Sequence, residues 1–187
     1  MKTLADLQPD AAPDRKMEYP WAISRATGKV MDAACGPTWL QFLIEQKGLE
    51  VYSVDFIKEA SLYPDKTERK NFQVHDLSEP LPKKFHDQFD TITIISSIEH
   101  MPDDVDIKAI KNLSACLKKG GSIIASFPYG KKGWHTLGNN YELHFTDECI
   151  EERLCKPSGL KVTEKTVWTK ETLAWPWKDI CIVKLTK

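Results

Sequence analysis

The sequence has no apolar run approaching the roughly 20 residues that a membrane-crossing helix needs. Its first residues carry Asp6 and Asp10 where a signal peptide has an apolar core. These absences predict a soluble, cytoplasmic chain. Neither sign of charge is in excess: 26 Lys and Arg stand against 27 Asp and Glu, a formal net charge of −1. That balance supplies no electrostatic footprint for nucleic acid or an anionic membrane. No C-x-x-C occurs, and the five cysteines (Cys35, Cys116, Cys149, Cys155, Cys181) are odd in number and scattered. Small thiols in a reducing compartment fit this better than a disulfide framework or a zinc site. Internal repeats and low-complexity tracts are absent. Glycine is sparse too, and the dinucleotide fingerprint G-x-G-x-x-G is missing. Where it would stand, Ala34-Cys35-Gly36-Pro37-Thr38-Trp39 matches only at Gly36, which argues against a nicotinamide or flavin cofactor.

What is present centres on residues 29–56. Val30 to Ala33 reads as a short buried strand running into a turn of small residues, Ala34 to Thr38. An apolar-periodic helix follows, with Trp39, Leu40, Phe42 and Leu43, and Gly48 stops it. A second strand, Val51 to Val54, ends on Asp55. Strand, small-residue turn, helix and strand with a terminal acid make up half of a doubly wound nucleotide-binding unit, in which the acid accepts from a ribose diol. With 187 residues the chain fits one domain spanning 1–187, large enough to bury roughly 70% of its unfolded surface. Residues 1–13, polar and with two prolines, read as a loose N-terminal arm.

The pattern resembles the first motif of class I S-adenosylmethionine-dependent methyltransferases, an acid followed by G-x-G-x-G. Asp32 takes the place of the acid, and Ala34, Gly36 and Thr38 take the three glycine places, so two glycines are replaced. Three further stretches carry the resemblance. Asp76-Leu77 stands after a brief strand, Phe72 to His75. Ser96-Ser97-Ile98-Glu99-His100 follows the best strand of the sequence, Phe89 to Ile95. Leu117-Lys118-Lys119-Gly120-Gly121 closes a helix and precedes a strand, Ser122 to Phe127. The resemblance implies an α/β three-layer Rossmann-like sandwich with a mostly parallel seven-stranded sheet in the order 3-2-1-4-5-7-6, the last strand antiparallel. It implies S-adenosyl-L-methionine as cofactor and S-adenosyl-L-homocysteine as product. By position, Ala34, Cys35 and Gly36 approach the methionine part through their backbone and Asp32 faces its ammonium. Asp55, followed by Phe56, holds the ribose, Asp76 and Leu77 the adenine, and Ser96 and Ser97 flank the methionyl group. No metal is implied, since Ser96 stands where metal-dependent relatives carry an acid.

Between these motifs the reading is coarser. Asp14 is a candidate cap for a helix from Arg15 to Ala26, with a kink or break at Pro20. Its segment Glu18 to Ala22 is either a lid over the cofactor or an aromatic anchor for the arm. After Asp55 only a shortened helix fits, and the charged run from Asp65 to Lys70 reads as a solvated face. Asp103 or Asp104 caps a helix whose apolar face is Ile107, Ile110, Leu113 and Leu117. A long loop runs from Pro128 to about His144, a helix starts at Thr146, and two strands close the chain. Trp175-Pro176-Trp177 between them lines a pocket, forms an interface such as a homodimer's, or folds back onto the core.

Deprotonating an acceptor needs a base near working pH, which makes histidine the first candidate. His100 with Glu99 stands after the fourth strand, and His135 and His144 lie in the loop after the fifth. The acceptor reads as a small molecule, an oxygen or nitrogen of a metabolite or sugar-derived intermediate. Two alternatives stay open. A non-catalytic, cofactor-binding partner subunit would fit the lost glycines. An RNA or protein methyltransferase would have only the loop Lys131-Lys132-Gly133-Trp134 as a basic recognition element.

Overall fold

The computed structural model describes residues 1–131, 133–137, 140–173 and 179–187, with the backbone alone for 134–137, 140 and 141. Seven strands form one sheet: β1 (Lys29–Ala33), β2 (Glu50–Asp55), β3 (Phe72–Val74), β4 (Phe89–Ile95), β5 (Leu117–Tyr129), β8 (Lys161–Trp168) and β9 (Asp179–Thr186). They lie in the order β3-β2-β1-β4-β5-β9-β8, which is 3-2-1-4-5-7-6 when only this sheet's strands are counted. β1 to β5 are mutually parallel, and β9 runs antiparallel to both of its neighbours. β6 (Gly133–Leu137) and β7 (Asn140–His144) pair as a separate hairpin.

Both faces of the sheet are covered, so its central strands are apolar at consecutive positions. Met31, Ile92, Ile94, Ile123 and Val183 point into one core, with α4 (Val105–Cys116) and a C-terminal helical stretch packed over them. That stretch runs from α5 (Asp147–Cys149) through a π-helical Ile150–Cys155 to α6 (Lys156–Ser158). Val30, Val51, Ile95, Ile124 and Ile182 point the other way, under α1 (Leu4–Leu7), α2 (Pro13–Arg25) and α3 (Leu40–Glu45). A short α7 (Lys170–Leu173) precedes β9. Among the described residues no helix is long and apolar enough to cross a membrane.

The structure departs from the sequence reading in five places. Residues 1–13 are not a loose arm throughout: Thr3 and Asp6 form a reciprocal capping box on α1, and Leu4 and Ala11 are buried. α2 begins at Pro13, behind Ala12 and not Asp14, and runs unbroken through Pro20. Pro20 and Lys16 lie on the exposed side, where water can satisfy the Lys16 carbonyl that proline leaves without a donor. α4 stops at Cys116, ahead of the two glycines, and residues 118–121 form a bulge at the start of β5 instead. A Cβ on Gly121 would meet the Lys118 and Phe89 carbonyls at 3.0 Å, so only glycine fits that bulge. The long loop after β5 is largely the β6–β7 hairpin, whose strand β7 packs against the 98–100 turn. Finally, Arg69 leaves the charged run and is only 5% exposed. Trp175-Pro176-Trp177 and Lys132 lie outside the described residues.

One ion pair ties the C-terminal helical stretch to α4. Asp106 is fully buried, and Arg153, from the π-helical turn, bonds both of its oxygens at 2.7 and 2.6 Å. Removing the cation leaves a carboxylate without compensation in the interior. Arg153→Met is expected to cost about 3 kcal/mol, read as a lowered urea midpoint at unchanged slope.

Candidate functional site

Register decides which residues meet. Ala33 lies opposite Val54, Asp55 opposite Val74, and Asp32 opposite Thr93, so β1 to β4 finish along one edge of the sheet. In such a sheet a ligand binds outside the carboxyl ends. A cleft of about 430 Å³ opens there, a size suited to a small molecule. Ala34, Gly36, Asp55, Phe56, Asp76 and Leu77 line it, as do Ser96, Ser97 and His100. A smaller cavity of about 190 Å³ adjoins it, sharing Ala34, Gly36, Ser96 and Ser97 as walls and adding Asp32, Cys35, Arg15 and Tyr19. All ten residues expected at the cofactor thus face one of two adjoining spaces.

The loop after β1 keeps its shape through bonds within the protein. The Cys35 N–H donates to the Val54 carbonyl at 3.3 Å, and the Gly36 N–H to Asp55 Oδ2 at 2.8 Å. The Ser97 hydroxyl lies 3.1 Å from the Ala34 carbonyl. Gly36 has φ +52°, and Ala34 holds φ +49° despite its side chain, a conformation that costs an L-residue roughly 1–2 kcal/mol. Thr38 is absent from the positive-φ residues. The loop therefore offers a ligand its surface and curvature, since the amide protons of Cys35 and Gly36 are already engaged. Burial pushes the Cys35 thiol well above the ordinary thiol range.

Asp32 is the electrostatic anomaly. It is 2% exposed; Oδ1 accepts from the Thr93 hydroxyl at 2.9 Å, and Oδ2 has no hydrogen-bond partner among the described residues. Burial raises its carboxyl to about 7, against the pull of the Arg69 charge and the Thr93 bond. A bare, buried carboxylate oxygen beside a cavity suits a cationic donor. Asp55, 4% exposed, accepts from Gly36 and, through Oδ1, from the Ile57 N–H at 2.9 Å. Each of its oxygens keeps a second lone pair for a ligand. Asp76 takes the Ser78 N–H at 2.8 Å, which lowers its pKa, and Phe56 stands 70% exposed at the rim.

Helix α2 supplies what the motifs do not. Arg15, Glu18 and Tyr19 share one helical face, at spacings of three and four. Glu18 is fully buried, bonded to Arg15 at 2.7 Å and to the Ser96 hydroxyl at 2.7 Å. Arg15 and Tyr19 wall the small cavity, while Trp21 bonds Thr166 at 3.0 Å and stacks under Arg25. Within the segment, Tyr19 faces the small cavity and Trp21 fixes the helix to β8. Its helical spacing was visible in the sequence, and the direction of its face was not.

The histidines are dispersed. His100 lines the large cleft, and its Nε2 lies 3.8 Å from Oε1 of Glu99, which is 1% exposed. His144 bonds Glu142, itself 2% exposed, at 2.9 Å, and neither lines a described cavity. His135 is described in backbone only, paired with Glu142 across the hairpin. Among the described residues no three His, Cys, Asp or Glu side chains are placed to hold a metal ion.

Asp32 carries a testable consequence. Its folded pKa lies above the unfolded value, so between about pH 4 and 7 the folded state binds the extra proton and this group's contribution to stability falls as pH rises. Asp32→Asn keeps a carbonyl oxygen for Thr93 and removes the buried charge. The variant without ligand is expected to be as stable as wild type at pH 4 and more stable at pH 7, by an amount on the order of a few kcal/mol. Denaturant midpoints across that range measure it. A difference that does not grow with pH removes the buried charge as the cause.

Comparison with known proteins agrees with this architecture. The chain is 27% identical over 154 residues to a ubiquinone biosynthesis O-methyltransferase of Proteus mirabilis, covering 79% of this chain and 58% of that protein. It thus spans little more than half of that relative's length. A 1,6-didemethyltoxoflavin-N1-methyltransferase of Burkholderia thailandensis, solved with S-adenosylhomocysteine, superposes with a TM-score of 0.74 at 16% identity, covering 97% of this chain and 81% of that one. The [4+2]-cyclase SpnF superposes with a TM-score of 0.70 at 14% identity, covering 93% and 80%, so the fold by itself does not determine the reaction. The methyltransferase-domain family matches residues 6–177. With that match across nearly its whole length, and with the sheet order and strand-end acids above, this chain belongs to the class I S-adenosylmethionine-dependent methyltransferases.

Proposed function

We propose that this chain binds S-adenosylmethionine across the two adjoining cavities and transfers its methyl group to an oxygen or nitrogen of a small molecule. The observation that carries the reading is the Oδ2 of buried Asp32, unpartnered among the described residues, in the wall of the smaller of two adjoining cavities, the larger of which holds Asp55, Asp76 and Leu77. A cationic amine fits the smaller. A ribose diol and a base edge fit the larger.

When bound, the cofactor supplies a methyl carbon on a positively charged sulfur, the electrophile of an in-line displacement. The chain's own residues bind and align. Asp32 takes the ammonium, and Arg15, whose guanidinium also holds Glu18, presents a cation to the carboxylate. Asp55 takes the ribose hydroxyls, and Asp76 accepts from the adenine amino group beside Leu77 and Phe56. Ser96 and Ser97 line both cavities. Positioning of this kind supplies much of a displacement's acceleration. The acceptor's proton leaves to His100, which lines the cleft together with His75 and has Glu99 beside it.

The acceptor class rests on the Proteus relative, named for O-methylation in ubiquinone biosynthesis, and on the Burkholderia structure, named for N-methylation of a small heterocycle. The near-neutral charge favours such a substrate over nucleic acid. The left-handed Ala34 weakens the case for a degenerate partner subunit, because the loop keeps a glycine's conformation where glycine is lost.

Thermal unfolding with S-adenosylmethionine, S-adenosylhomocysteine and NAD tests the cofactor. At about 100 times its dissociation constant, a ligand adds roughly 2.7 kcal/mol, a rise on the order of 5–10 °C for a chain of this size. Both sulfur ligands should give that rise and NAD should not. An unmoved transition with all three would sink the reading. Once an acceptor is found, His100→Gln should lower kcat by about 100-fold or more with cofactor affinity kept. An unchanged kcat would remove His100 as the base.

A further inference from the structure

Arg69 belongs to no motif of the sequence, yet it is among the most constrained residues of the structure. It stands between β2 and β3 and is 5% exposed, in a run whose neighbours Lys66, Thr67 and Glu68 are exposed. Its Nη2 donates to the Gly36 carbonyl at 2.8 Å and to the Thr38 carbonyl at 2.7 Å, and its Nη1 to Gln41 Oε1 at 3.1 Å. The guanidinium lies 4.6 Å from the Tyr63 ring centroid, and Tyr63 in turn stacks on Trp39. Its Nε finds no hydrogen-bond partner among the described residues. A buried cation that leaves one donor bare is costly to fold around.

Two features of that placement point the same way. The carbonyls it grips belong to the second and third glycine places of the loop, the third of which is occupied by Thr38. A loop with fewer glycines has fewer conformations to choose from but needs its carbonyls held, and a planar fork can hold two at once. The same charge also faces buried Asp32 and opposes the proton that burial would place there.

We propose that Arg69 is the positioning residue of the cofactor loop, fixing its curvature from beneath through the Gly36 and Thr38 carbonyls and supplying the countercharge that keeps Asp32 able to receive a cationic amine. The proposal rests on the cofactor reading above and deepens it. The groups that face Asp32 are Arg69 and Tyr63 from the segment between β2 and β3, Asp55 at the end of β2, Thr93 on β4, Arg15 and Tyr19 on α2, and Cys35 in the loop. Asp55 and burial push toward protonation, and Arg69 and Arg15 oppose it. Arg15 is bonded to Glu18, which offsets its charge locally. Arg69 has no carboxylate partner within ion-pair distance among the described residues.

Binding of S-adenosylhomocysteine, which carries the amine and cannot react, is titrated calorimetrically between about pH 5.5 and 8 for wild type, Arg69→Met and Arg69→Lys. Each protein is first checked for a cooperative thermal transition. Wild-type affinity should rise with pH through about 7 as Asp32 ionises. Arg69→Met, which keeps the stem over Tyr63, should bind about tenfold or more weakly at pH 7, with its midpoint displaced upward. Arg69→Lys should bring the midpoint back toward wild type while affinity stays reduced, because one ammonium does not reproduce a fork across two carbonyls. A purely structural role would weaken both variants without moving the midpoint, and that result overturns the proposal. So does wild-type affinity in Arg69→Met. Should Arg69→Met lack a thermal transition, Arg69→Gln, which keeps a donor and loses the charge, takes its place: a midpoint displaced upward supports the proposal and a wild-type midpoint overturns it. Absence of binding by wild type itself would remove the cofactor reading together with the proposal, whereas changes confined to affinity or midpoint in the variants bear on Arg69 alone.

Discussion

The Asp32 carboxylate sits on a central strand of a sheet covered on both faces, with one oxygen bonded to Thr93 and the other bare. Burying such a group without a full set of partners is among the most unfavourable things a fold can do. The surroundings are arranged around that difficulty. Thr93 stands directly opposite on β4, Arg69 reaches in beneath the loop, and Arg15 closes from α2. The free ligand site thus carries a destabilising element that a ligand's positive charge would relieve, and stability and binding share one atom.

The loop over Asp32 explains how two lost glycines are tolerated. A glycine-rich loop owes its shape to conformations that only glycine adopts without strain. Here Ala34 accepts a left-handed backbone and Thr38 an ordinary one. The carbonyls of both neighbouring turns are held from outside, by Ser97 above and Arg69 below. The strain at Ala34 is small beside the sum of these bonds, so the loop keeps its course. Its amides at Cys35 and Gly36 are turned inward, which leaves ligand recognition to side-chain carboxylates.

α2 and the strand ends are coupled through Glu18. That residue joins Arg15 to the Ser96 hydroxyl and so fastens the helix over the gap between the two cavities. Further along, the same helix is anchored to β8 by Trp21 and Arg25. The helix beside the small cavity is therefore held at several points along its length. The β6–β7 hairpin packs from the other direction against the turn that carries Glu99 and His100.

The sequence by itself determined the sheet. The short run Val30 to Ala33 and the β-branched, near-continuously apolar run Phe89 to Ile95 read as buried strands, and the residues at the strand ends fell in an order that one topology explains. That the ten candidate cofactor positions would gather around adjoining cavities was legible for the same reason, since residues that end parallel strands share an edge. Helix and strand boundaries near glycine and proline were not legible. Pro20 is tolerated because its face meets solvent, and Gly120-Gly121 serves a bulge because Gly120 holds φ +80° and two carbonyls crowd the place of a Cβ on Gly121. Only the tertiary structure decided the role of Arg69. In the sequence it is one charge among several in a polar run. Its burial depends on carbonyls 31 and 33 residues away and on a tyrosine ring, and no local pattern of polarity encodes a partner that the fold has yet to bring near.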